Sequence, residues 1–293
     1  MISDPTATFI FLACLLGTIF WLSGLPRMQP LFRVTPAVIY AYFIPAVCTS
    51  LGIIPQSSAA YDWMVRYLLP VSLLLLMVTV DLRAVLRLGR KAILMMLAGS
   101  LGIIVGGPVA LALFGSLLPG DTWMGLAALS GSWIGGTPNM VAIKESVGTP
   151  DSLMGPIIVV DTLVAYSWMG ILLFLGTFQS RFDAWVGADT GEVEDLDAAL
   201  AEIEGRRRPV EVRDLAMIGA LGFGGAALSI WVGRQLPPLG DPTIISHTTW
   251  TVVFVTSLGL ALSFTSVRRL EKVGTSRFGY FALYLMLSAF GAQ

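Results

Sequence analysis

Apolar stretches about as long as a bilayer is thick recur throughout the chain, and they limit the fold more than any other feature. A transmembrane helix needs about 20 largely apolar residues. Segments of that kind fall near 8–24, 34–54, 64–80, 92–118, 122–147, 153–178, 214–233, 249–265 and 278–291. Barrel strands would show short alternating stretches instead, so the expected fold class is an all-α integral membrane protein, a polytopic helical bundle. Composition agrees: 55% hydrophobic against 13% charged residues leaves too little polar surface for a water-soluble globule of 293 residues. The first segment has no basic start and no small-residue exit, so it is expected to be a retained helix rather than a cleaved signal. A net charge of −1 offers no basic surface for nucleic acid. Cys14 and Cys48 lie singly inside apolar spans, where neither a disulfide framework nor a metal site is expected. The single histidine, His247, beside Thr248 and Thr249, has the setting of an interfacial residue.

One stretch breaks the hydrophobic rhythm. Residues 179–213 hold nine of the 19 carboxylates and the basic cluster Arg206, Arg207 and Arg208. The stretch is expected to be an acidic, solvated connection with a short surface helix over 193–204 and anionic-lipid contact through the arginines. It divides the chain into a first membrane half, 1–178, with about six helices, and a second, 214–293, with about three. Orientation is contradictory on this count. Arg83, Arg87, Arg90 and Lys91 vote one loop into the cytoplasm, and Arg268, Arg269, Lys272 and Arg277 vote the same for another. Five apolar segments separate the two loops, and five full crossings would put them on opposite faces. Either one segment fails to cross or one loop breaks the rule. The runs Leu69–Asp81 and Phe281–Gln293 are weakly alike and could each start a repeat core; the second copy then stops early, as in a truncated chain or a half-site completed by another subunit.

The most informative window is 130–145, Ser-Gly-Ser-Trp-Ile-Gly-Gly-Thr-Pro-Asn-Met-Val-Ala-Ile-Lys-Glu. A continuous helix would not keep Gly135-Gly136-Thr137-Pro138-Asn139 at its centre. Gly135 or Gly136 can end one half-helix in the left-handed conformation, Thr137 is a good N-cap, and Pro138 suits the next first turn. An interrupted helix is therefore expected near 135–139, at bilayer depth. The bared amides and carbonyls cost several kcal/mol per group in lipid, and a bound ion or substrate would satisfy them. The plainer alternative is a proline-kinked helix whose gap is filled by Ser130, Ser132 or a neighbour. Asp161 is the second signal: a lone carboxylate deep in an apolar span usually marks an ion or proton path. Thr162, Tyr166 and Trp168 lie on adjacent stripes that could face the break. The alternative for Asp161 is a structural carboxylate paired with Lys144 or hydrogen-bonded to a nearby hydroxyl. Lys144 and Glu145 are placed at a solvated end or in the pathway, and Asp81 as an interfacial anchor beside the arginines. Gly102-xxx-Gly106 and Gly131-xxx-Gly135 are spacings that allow close helix approach.

The windows Gly135–Glu145, Asp161–Gly170 and Asp183–Thr190 together resemble the YjcL-like membrane proteins, an uncharacterised group, over nearly the whole chain. The resemblance implies a place in the superfamily of cation:proton antiporters and bile-acid-type sodium symporters. It further implies inverted repeats with crossed, interrupted helices and an ion-site region at 135–139 and Asp161. Members of the group continue past position 293 into a second interrupted helix, so this chain is expected to hold part of the site.

The expected function is a secondary transporter, coupled to sodium or protons and carrying a small organic solute or ion, in a cytoplasmic or organellar membrane. No nucleotide-binding loop is present. An intramembrane enzyme lacks an H-E-x-x-H motif or a serine with a histidine base, and none is expected; a scaffold or sensor working through the acidic connection is the other alternative. The implied site is Gly135, Gly136, Thr137, Pro138, Asn139, Asp161 and Thr162, with Ser130, Ser132, Lys144, Glu145 and Tyr166 as further members. Sodium or a proton is the coupling ion, with no resident metal or organic cofactor. Membrane lipids, the solute and a second copy of the chain are the expected partners.

Overall fold

A computed structural model describes residues 2–82, 89–187, 209–240 and 245–293. Arg83, Arg87, the expected surface helix at 193–204 and the Arg206–Arg208 cluster lie outside them. The described residues form helices joined by short turns, with one isolated bridge between Leu239 and Ile245 and no strand. In chain order the helices are α1 (Pro5–Ser23), α2 (Gln29–Val34), α3 (Ala37–Ser50), α4 (Ala59–Val78) and α5 (Gly89–Phe114). They continue with α6 (Thr122–Gly135), α7 (Thr137–Val147), α8 (Asp151–Gly176), α9 (Gln179–Val186), α10 (Val212–Gln235), α11 (His247–Ser263) and α12 (Thr275–Ala292), with a 3₁₀ helix at Ser266–Val273.

Helix starts follow local chemistry. Asp4 accepts from Ala7 N–H at 2.7 Å ahead of Pro5, and Ser58 caps α4. Ser246 and Thr249 form a reciprocal capping box at α11, as do Glu211 and Asp214 at α10. Each of the nine expected segments falls on helix, but among the described residues five helices are long and apolar enough to cross a membrane alone. A sixth span results if α11 and the 3₁₀ helix, bent by 92° to one another, count together. Helix α3 is apolar but only 14 residues long. The polytopic helical class stands, with fewer independent spans than the hydropathy count.

Helices α4 and α12 pack against each other at the centre, with α3, α10 and α11 around them. Glycines allow this closeness: a Cβ on Gly225 would lie 2.2 Å from a Leu74 methyl, and one on Gly259 would lie 2.6 Å from the Met77 Cβ. Hydrocarbon tails are as apolar as leucine, so close van der Waals contact rather than burial from water holds such helices together. Helices α5 and α8 lie outside this centre and expose long apolar faces. Gly102 and Gly106 point into open space; it is Gly107 that approaches another helix, at Ser130.

The segment 122–147 departs most from expectation. Helices α6 and α7 are not the halves of one crossing but the arms of a hairpin. Thr149 Oγ1 donates to Met124 O at 3.2 Å, and a Cβ on Gly131 would meet Asn139 O at 2.9 Å and the Ile143 Cδ1 at 2.8 Å. The chain therefore enters at Thr122 and leaves near Gly148 at the same end. Arms of 14 and 11 residues are about 21 and about 16 Å long at 1.5 Å per residue, each short of the roughly 30 Å hydrocarbon core.

This fold-back resolves the orientation conflict. Asp81, just past α4, pairs with Arg268 in the 3₁₀ helix, so the end of α4 and the second basic stretch lie at one end of the molecule. Between them α5, α8, α10 and α11 make four passes from end to end and the hairpin makes none. Among the described residues Arg27, Arg90, Arg213, Arg268, Arg269, Lys272 and Arg277 occupy helix ends or turns on this side, against Arg66, Lys144 and Arg234 on the other. Asp81 pairs with an arginine distant in sequence, Arg268.

Candidate functional site

The helix break is built by Gly136, whose φ of 82° and ψ of −174° lie where essentially only glycine goes. Its N–H donates to Ser132 O at 2.6 Å, closing α6. Its carbonyl accepts from the N–H groups of Asn139 and Met140 at 3.0 and 3.1 Å, opening α7. Gly136, not Thr137, is the N-cap; Thr137 and Pro138 are the first two helical residues, and no side chain caps either stub. Proline suits the first turn because its missing N–H is one the helix could not pair. Asn139 packs across the tip, its amide where a Cβ on Gly135 would sit, which explains the second glycine. Gly135 is exposed, Gly136, Thr137 and Asn139 are half-buried, and Pro138 is buried.

Asp161 meets this tip. Ser132 Oγ on α6 donates to Asp161 Oδ2 on α8 at 2.8 Å, and the Trp133 side chain lies beside the same carboxylate. The depths match: Asp161 is ten residues beyond the start of α8 and Gly136 twelve before Gly148, about 15 and about 18 Å from the shared end. A carboxylate, a serine hydroxyl and the termini of two short helices therefore converge at one level. Oxygen ligands of that kind suit a hard monovalent cation, and the carboxylate can alternatively hold a proton.

Other expected members are elsewhere. Ser130 Oγ donates to Leu126 O and Thr162 Oγ1 to Ile158 O, each on its own helix, so neither reaches the gap. Tyr166 and Trp168 are exposed on the outer face of α8. Lys144 does not pair with Asp161, so of the two structural alternatives for that carboxylate the ion pair is absent and the hydroxyl bond, from Ser132, is present. Lys144 is also not at a solvated end: it is 5% exposed, with Nζ 2.7 Å from Glu145 Oε1, 2.6 Å from Asp151 Oδ1 and 3.8 Å from the centre of the Phe290 ring. Asp151 Oδ1 lies off the line of a hydrogen bond, so that contact is ionic. This cluster ties α7 to α8 and α12 at the open end of the hairpin. Thr249 Oγ1 adds a hydrogen bond to Ser146 O at 3.1 Å. His247 is exposed, with Nδ1 3.1 Å from Gly233 O. Trp133, Asp151 and Phe290 were not foreseen; Asp151 could have been, as a carboxylate just beyond the Gly148 helix end.

A family model described as a protein of unknown function (DUF819) matches residues 10–293. The uncharacterized membrane protein YjcL of Bacillus subtilis (strain 168) is 24% identical over 249 residues, covering 84% of this chain and 63% of that protein. The chain thus spans less than two thirds of this curated relative's length. No solved structure matches.

Proposed function

The chain belongs to the family of proteins of unknown function DUF819, and from that premise we propose that it is a secondary transporter driven by a sodium or proton gradient. Its cargo is a small organic solute or ion. One observation carries this: the hairpin tip at Gly136 and the carboxylate of Asp161, linked through Ser132, meet about halfway through a bilayer-sized bundle. Backbone ends and a carboxylate at that depth are costly in lipid, and an ion passing between two aqueous sides would offset the cost at each visit. The positive N-terminal end of α7 favours an anionic group, and the last carbonyls of α6 favour a cation.

Chain direction supports an inverted repeat of the antiporter and symporter kind. Helices α4 and α12 carry the two weakly similar runs, pack together and run in opposite directions. The end bearing Asp81 and Arg268 is assigned to the cytoplasm by its basic residues. The membrane is the cytoplasmic one or that of an organelle.

The test uses the full-length gene product in liposomes, with tracer flux followed under imposed sodium or proton gradients. Asp161→Asn should abolish the response to the gradient while the protein stays folded. Unchanged gradient-driven flux in that variant would remove Asp161 from the coupling step. A chain lacking 183–205 should keep most of its flux; loss of all activity in it would favour the scaffold.

A further inference from the structure

At the end opposite Asp81 and Arg268, a cavity of about 560 Å³ opens between α4, α7, α10, α11 and α12. Its size falls in the range of small-molecule sites, roughly 300–1,000 Å³. Its charges are balanced in sum but not pair by pair. Arg66 and Arg234 line it, and neither forms an ion pair among the described residues. Facing the same space is the Lys144 cluster, in which one ammonium is shared by two carboxylates, Glu145 and Asp151, leaving one negative charge in excess. Asp62 adds a further carboxylate without a basic partner. Between these groups the wall mixes the apolar Leu69, Ile230, Val252 and Phe290 with threonine hydroxyls and the His247 ring.

From this arrangement we infer that the cavity binds a small zwitterion carrying a carboxylate, an ammonium and an apolar body, as a free amino acid with an aliphatic or aromatic side chain does. The carboxylate pairs with Arg66 and Arg234, and the ammonium takes up the surplus carboxylate charge beside Lys144. A simple anion would add negative charge next to Glu145 and Asp151. A simple amine would add positive charge next to two unpaired guanidiniums. A ligand bearing both signs sets opposite charge against each side, with Asp62 left to offset the second guanidinium, and like-charge juxtaposition is what disfavours the others. Guanidinium suits the carboxylate because its planar fork offers two parallel donors. The cavity lies against α7, the arm that leads to the hairpin tip, so a ligand here stands at the mouth of the route to Asp161. This role as an entry site rests on the transport proposal; the binding itself does not.

The experiment titrates the detergent-purified full-length protein with the twenty free amino acids, one at a time, by calorimetry. The best binder is then compared with its deaminated acid and its decarboxylated amine. At least one apolar amino acid should bind, and removing either charged group should weaken binding by about tenfold or more, the scale of one charge-assisted hydrogen bond. Arg66→Gln with Arg234→Gln should weaken it comparably; both side chains are exposed and form no ion pair among the described residues, and an unchanged unfolding midpoint checks that the fold is kept. No binding by any amino acid, or equal binding by the acid or the amine alone, overturns the proposal. Asp161→Asn separates the two claims: it should retain calorimetric binding while losing gradient-driven uptake. Gradient-driven flux of another solute with no amino-acid binding would sink the zwitterion site and leave transport standing, and the reverse result would do the opposite.

Discussion

Replacing Gly136 with alanine isolates the backbone contribution to the hairpin tip. A Cβ built there meets nothing closer than Pro138 Cδ at 3.8 Å, an ordinary van der Waals contact, so no steric clash confuses the result. What remains is the dihedral pair of 82° and −174°, a region that costs a residue with a side chain about 1–3 kcal/mol. At about 2 kcal/mol the tip conformer becomes roughly thirtyfold less populated relative to relaxed alternatives. Gly148 supplies the comparison: its φ of 73° and ψ of 36° are left-handed helical, which asparagine tolerates, and a Cβ there meets nothing within 4 Å. Thermal unfolding in detergent and gradient-driven uptake in liposomes should therefore separate the two sites. Gly136→Ala should lower the unfolding midpoint by a few degrees and depress uptake at least tenfold, while Gly148→Asn should alter both little. If Gly136→Ala unfolds and transports like the parent protein, the tip does not adopt this conformation and the carboxylate beside it is not facing a helix break.

Three further outcomes are expected. Lys144→Met strands two carboxylates at the open end of the hairpin and should cost about 2–4 kcal/mol of stability, reduced from the fully buried case because Asp151 is 35% exposed. Adding Glu145→Gln and Asp151→Asn to it should restore most of the loss in chemical unfolding, and failure to do so would refute the ion cluster. Ser132→Ala removes the hydroxyl bonded to Asp161 and should raise the half-saturating concentration of the driving ion about tenfold, with maximal flux less affected; an unchanged ion dependence would separate Ser132 from the site. For topology, an impermeant maleimide should label Gly120→Cys and Gly148→Cys from one side of the membrane and Ser266→Cys from the other. Labelling of the first two from opposite sides would show a crossing rather than a hairpin.

Apolar run length and the Gly-Gly-Thr-Pro-Asn cluster carried the helical membrane class and the helix break to within one residue. The cap was misplaced because threonine's capping propensity outweighed the dihedral demand that only Gly136 can meet. The fold-back was hidden because 26 apolar residues fit a crossing as well as a hairpin, and length does not distinguish them. The cue lay in the conflict between the two basic loops, which required a segment that does not cross. Tertiary pairing was less legible. Ser132 reaches Asp161 across 29 positions, and Lys144 chooses Asp151 over Asp161 because α8 starts beside the end of α7, which no local pattern encodes.

A hydrophobic stretch that dips in and returns changes no sides, and the consequence falls on everything after it. Among the six apolar stretches before the acidic connection, the hairpin returns to the end at which it enters, and α12 runs antiparallel to α4. A substitution that straightened the hairpin into a sixth pass would ask three downstream helices to insert upside down, and α12 could then no longer lie antiparallel along α4. The glycine at the tip thus bears on how the chain is threaded: the backbone turn at one residue sets the direction in which every later helix runs.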